Sequence, residues 1–144
     1  MSGLKLLAQD EEDLKIISAH LQDAVMRVGD VAYLPRRRRF AVVMSRFCWE
    51  HNGEHPPGSR VESGLHFDGV LKAQSRDVRQ DDPDALAGLL AIHYIPSPSG
   101  GGTIDLVLCG GGLIRLTVEC IDACLTDLSE PRPAVARPAH NLEA

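Results

Sequence analysis

The apolar positions of this chain change period along its length, and the changes mark its elements. Residues 4–8, LKLLA, alternate loosely and predict a short first strand. From Asp10 the spacing turns helical: Leu14, Ile17, Leu21 and Ala24 or Val25 share one face, with Lys15, His20, Gln22 and Asp23 around the rest. An aspartate at position 10 caps free N–H groups, and Glu11, Glu12 and Asp13 oppose the positive helix end. One amphipathic helix over 10–24 is predicted.

From Gly29 the period becomes that of strands. GDVAYLP and FAVVMSRFCW flank a polar break and predict a β-hairpin whose turn is Pro35 with Arg36 to Arg39. HNGEHPPGSR (51–60) reads as an exposed loop. Extended character resumes over 64–78, with Gly69 as a bulge position. After the acidic break RQDDPDA, strands are predicted over 89–95, 103–108 and 113–120, the last placing Ile114, Leu116 and Val118 on one side. IDACLTDL continues that strand after a bend or forms a short helix. EPRPAVARPAH is too rich in proline for regular structure.

Three short matches recur in order: AYLP with HYIP, FAVVM with IDLVL, and FDGVL with IDACL. They predict a duplicated three-strand meander with pseudo-twofold symmetry, although hydrophobic alternation common to all meanders gives similar matches. The fold expected is α+β and mainly antiparallel. Six or seven strands form a curled sheet or partly open barrel, with the N-terminal helix plugging one end. Residues 1–128 make the single domain and 129–144 a proline-rich extended tail. Leu14, Ile17, Leu21, Val42, Phe67, Leu90, Ile92, Leu106, Ile114, Leu116 and Val118 are the expected core.

Composition narrows the class without naming a reaction. Of 144 residues, 44% are hydrophobic and 24% charged, which is globular, and the net charge of −5 argues against a general nucleic-acid binder. No apolar run reaches the roughly 18–20 residues of a membrane span. The N-terminus turns acidic too soon for a signal peptide. A cytoplasmic protein is expected, with Cys48, Cys109, Cys120 and Cys124 as free thiols.

The order LKLLAQDEEDLKIISAHLQDAV, VGDVAYLPRRRRFAVVMSRFCWE and CGGGLIRLTVECIDACLTDL resembles one family across residues 4–140. The chain is similar to the small bacterial proteins grouped as domain of unknown function 2948. The resemblance implies a bacterial cytosolic protein and carries over no activity, cofactor or site residue.

Four features carry candidate chemistry. CWEHNGEH offers Cys48, His51 and His55 as zinc ligands, with His66 on the next strand as a fourth. Such a site would make the chain a metal-binding protein or zinc-dependent hydrolase. It lacks the second ligand knuckle of structural zinc sites, and a solvated polar loop supplies the same letters. Cys120 and Cys124 sit among apolar residues, where burial raises a thiol pKa and disfavours a nucleophile. The two GGG runs lack the Lys-Ser/Thr of a phosphate loop; the first reads as part of a flexible loop, SPSGGG, and the second suits a hairpin turn.

The fourth is electrostatic. Between positions 27 and 46 lie six arginines (Arg27, Arg36, Arg37, Arg38, Arg39, Arg46) against the single acid Asp30, whereas residues 80–144 hold three arginines against nine acids. Guanidinium forks bind carboxylates and phosphates bidentately. A solvated turn whose charges keep a hairpin edge from pairing is the plainer account. An RNA-binding accessory protein would add stacking aromatics, of which only Trp49 lies near this face. The expected function is therefore a non-enzymatic binding module without cofactor or metal. Its contact face is the arginine hairpin with Trp49, and its partner an acidic protein or a second copy.

Overall fold

The computed structural model describes residues 3–48, 59–130 and 132–133. The chain runs β1 (Lys5–Ala8), α1 (Glu11–His20), β2 (Val25–Leu34), β3 (Arg39–Phe47), β4 (Ser59–Phe67), β5 (Val70–Arg76), β6 (Leu86–Pro96), β7 (Gly102–Leu108), β8 (Leu113–Val118), β9 (Ala123–Asp127) and β10 (Arg132–Pro133). The sheet is wholly antiparallel, in the order β1-β9-β4-β3-β2-β6-β7-β8-β5, and β10 pairs with the start of β4. It does not close: β1 ends the path on one side and β5 on the other. Among the described residues no helix is long and apolar enough to cross a membrane.

Among the described residues nine strands lie along the path, not six or seven, and the reason is topological. The extended stretch 64–78 is two strands, cut at Asp68–Gly69, where Gly69 takes φ +71 and the chain leaves one half of the sheet for the other. Gly69 is thus a crossover turn; the bulge lies beside it, between Val70 and Lys72. IDACLTDL does not continue β8 either. It forms β9, which crosses back to pair with β4 and β1.

The strand order reads the same from both ends of its core. β2-β3-β4 and β6-β7-β8 are two meanders meeting at a short β2–β6 contact, Val25–Arg27 against Leu86–Gly88. Each is completed by the strand that follows the other: β5, after β4, pairs with β8, and β9, after β8, pairs with β4.

The helix is shorter than its apolar spacing. Asp10 caps it as expected, accepting from the Asp13 N–H at 2.8 Å, but it stops at His20. Asp23 then takes φ +66 and donates its N–H to the Leu89 carbonyl at 2.9 Å. Pairing with β6 captures the segment before another turn can form, while Leu14, Ile17, Leu21 and Ala24 all remain buried.

The core lies between the half-sheets and under α1, with Phe40 and Phe67 rings 6.5 Å apart at its middle. Of the expected core only Leu90 is misplaced, at 48% exposed, with Leu89 inside instead. A bulge between Leu89 and Ala91 adds one residue to β6 and turns Leu90 outward.

Candidate functional site

The arginine turn is real but is not an open field of charge. Pro35–Arg37 form one 3₁₀ turn, and Arg38, at φ +52, returns the chain into β3. Arg39 grips Asp68 with both fork nitrogens, Nε to Oδ1 at 2.8 Å and Nη2 to Oδ2 at 3.2 Å. The hydrogen bond to Asp68 holds the Arg39 pKa above its usual value. Arg38 reaches Glu119. Both acids sit at crossovers, Asp68 between β4 and β5 and Glu119 just beyond β8, so half of the turn's charge braces the strand exchange. Arg36 and Arg37 remain exposed at the tip.

The other expected contact residues do not gather there. Arg27 lies near the opposite end of β2, beside Asp30 (3.5 Å) and Asp84 (3.8 Å). The pairs Met26↔Met44 and Leu34↔Arg39 place it about five residues of β3, roughly 17 Å, from the turn. Arg46 is not a surface residue at all: its side chain is 0% exposed. The alternation of β3 puts it in phase with Phe40, Val42 and Met44 and points it inward. Its Nε and Nη2 donate to Asp127 Oδ1 and Oδ2 at 3.0 and 2.9 Å. Asp127 also accepts from Ser63 Oγ at 2.7 Å and from the Leu4 N–H at 2.9 Å. Burial would raise the Asp127 pKa, but these bonds and the Arg46 charge outweigh it and hold the carboxyl below its ordinary range. Trp49 lies outside the described residues.

The proposed zinc ligands are divided. Cys48 is buried beyond the end of β3, where its N–H bonds the Ser59 carbonyl. His66 sits seven residues up β4 from Ser59, opposite Ala41 and Cys124, about 23 Å away along the strand. It is therefore separated from Cys48, and its Nε2 faces Asp68 at 3.6 Å. His51 and His55 lie outside the described residues. No group of three or more metal-ligating side chains occurs among the described residues.

The structure also holds a concavity that the sequence did not reveal. Between β2 and β5, which face each other without pairing, lies a cleft of about 380 Å³. Val28, Val31 and Tyr33 of β2 form one wall and Ala73 of β5 the other. Met26, Phe40, Leu108 and Ile114 line it from the core side, and Gln74, Ser75 and Gln80 add its polar groups. Among the described residues no Asp, Glu, Lys, Arg or His lines it. Tyr33 Oη donates to the Val70 carbonyl at 2.8 Å and spans the gap at the end nearest the turn, where the Val70 N–H also bonds the Arg38 carbonyl at 2.8 Å. Its volume suits a small ligand or a few aliphatic side chains, and its lining favours an uncharged group. It draws on six strands and a loop, with no local motif, so only the three-dimensional pairing shows it.

The family model described as protein of unknown function (DUF2948) matches residues 4–140. The chain belongs to that family. No curated protein and no solved structure matches it.

Proposed function

We propose that this DUF2948 member is a non-enzymatic binding module for an acidic protein partner. The cleft between β2 and β5 takes an apolar segment of the partner, and Arg36 and Arg37 take carboxylates flanking it. The observation that carries the reading is the uncharged lining of the cleft, where apolar side chains alternate with Gln74, Ser75 and Gln80, at the end of which the arginine turn stands. An exposed ion pair contributes only about 0–1 kcal/mol, so two arginines alone hold nothing tightly. An apolar anchor desolvated in the cleft contributes more, roughly 1.5–3 kcal/mol per fully buried aliphatic side chain. Affinity then comes from the cleft, and orientation and encounter rate from the charges.

The arginine face expected from sequence is retained in reduced form, without Arg46 and without the distant Arg27. The test compares partners cross-linked to the wild type, to Arg36→Ser/Arg37→Ser and to Ala87→Leu, which narrows the cleft that Ala87 of β6 also lines. One acidic protein should weaken with both variants, the arginine effect shrinking at high salt and the Ala87 effect not. A partner set unchanged by both variants overturns the reading, and so does retention of RNA alone with a steep salt dependence.

A further inference from the structure

The two gaps between the meanders are counterparts by strand order, yet among the described residues only one is filled. On one side, β9 has β4 along one edge and β1 along the other, in the register Lys5↔Thr126 to Ala8↔Ala123. The edge of β6 facing that gap is met by α1 and the chain after it. Ser18 Oγ accepts the Ile92 N–H at 3.0 Å, and the Leu89 N–H bonds the Ala24 carbonyl at 2.8 Å. On the other side, β5 holds the position that β9 holds in the first half. Among the described residues β5 pairs with β8 alone. Its other edge borders the cleft. What β1 does for β9, nothing in this chain's described residues does for β5.

We propose that the partner segment is an extended strand that adds antiparallel to the free edge of β5, as β1 adds to β9. The proposal rests on the cleft being the binding site and specifies what enters it. Strand addition supplies main-chain hydrogen bonds, and every second side chain of the added strand points into the uncharged cleft. Direction follows from β5 itself. It runs from Val70, beside the Arg38 carbonyl, toward Arg76, so an antiparallel partner runs toward the turn and ends there. Acids following the apolar stretch then meet Arg36 and Arg37.

Charge selects the partner further. Within β5, Lys72 and Arg76 are exposed and no acid is present. A second copy of β5 would bring like charges together, whereas an acidic strand is attracted. The recognised chemistry is thus an alternating aliphatic segment of four to six residues, followed by two or more carboxylates. The chain's own filled gap has that form: LKLLA occupies the strand and DEED follows.

A labelled free peptide with the sequence of residues 3–13, GLKLLAQDEED, is therefore the probe, titrated into the full-length protein by fluorescence anisotropy. Binding should saturate, and amide exchange should slow over residues 71–76 while β9 is unchanged. Ala73→Phe, which fills the cleft, should weaken binding at least about tenfold, the loss of one buried anchor. Gln80→Trp, at an exposed position on the cleft, is the companion variant should Ala73→Phe not fold. Arg36→Ser/Arg37→Ser should weaken binding roughly threefold to tenfold at low salt. The reversed peptide should lose that arginine dependence. Unchanged affinity in the cleft variants, or protection on β9 instead of β5, overturns the proposal. 1-Octanol, followed by the Met26 methyl resonance, separates the two levels. If octanol shifts Met26 and the peptide does not bind, the cleft is a ligand site but not for a strand. If neither reaches Met26, the cleft reading falls with it.

Discussion

Asp127→Ala should destabilise the protein by about 3–5 kcal/mol, the cost of taking the carboxylate away from a buried charge. Arg46 and Asp127 have side chains 0% and 2% exposed, joined by two hydrogen bonds across the sheet. The carboxylate also receives Ser63 Oγ and the Leu4 N–H, so its removal takes the acceptor from four donors at once, two of them on Arg46. Against a typical domain stability of roughly 5–15 kcal/mol the loss is large. For a chain of this size it corresponds to about 10 °C or more in Tm. The damage should begin at β1, because Leu4 just before it is tied to Asp127 by both N–H and carbonyl. Amide exchange at residues 4–8 should therefore rise before exchange in β3. Arg46→Met with Asp127→Leu should recover most of the loss, because a neutral apolar pair strands no charge. Equal instability in the double variant would show that geometry, not charge, dominates.

The same pair gives the protein an acid limit. The folded Asp127 pKa lies below its unfolded value, so the unfolded state takes up its proton first as the pH falls. The stabilisation is present above the unfolded pKa near 4 and is lost as the pH falls through the lower folded value. In Asp127→Asn that part of the acid slope should disappear from a plot of unfolding free energy against pH. A slope identical to that of the wild type would assign acid sensitivity to other carboxylates.

What the sequence could and could not disclose follows one physical line. Local signals were legible: the Asp10 cap, the hairpin around Pro35, and the alternation that buries Val42, Leu106, Ile114 and Leu116. Arg46 was legible too, since it shares phase with Val42, but that phase was subordinated to its charge. Its partner was not. Only the β4–β9 register, which places Ser63 beside Asp127, selects that acid from the chain's twenty. The crossovers are non-local in the same sense. Alternation does not say that a strand leaves its neighbour for the opposite meander, so 64–78 read as one strand and β9 as an extension of β8. The three internal matches point to corresponding strands, β2 with β6 and β3 with β7. The third pair spans the two crossovers. Leu90 failed because a bulge shifts the parity of everything before it.

Gly101→Ala should be the second severe substitution, costing roughly 2–4 kcal/mol from positive-φ strain and a backbone clash together. The run at 100–102 looks in sequence like a flexible loop or a failed phosphate site. Its three members are in fact unlike one another. Gly100 has φ +103, and a methyl there meets nothing within 4 Å. Gly101 has φ +65, and its methyl would stand 2.4 Å from the Val118 carbonyl oxygen and 3.2 Å from that of Glu119. Those are main-chain atoms at the crossover out of β8, and they cannot swing away like a side chain. The Gly101 carbonyl also accepts from Tyr94 Oη at 3.0 Å and from the Ser97 N–H at 2.9 Å, so the turn is held from both sides. The β6–β7 hairpin must therefore move off β8, taking the Gly102↔Val118 pair with it. Gly100→Ala should cost only the conformational part, about 1 kcal/mol. Thermal unfolding of the two variants side by side reads the difference directly. Equal, small losses would mean that the hairpin shifts freely and that close packing of Gly101 against β8 does not fix the crossover.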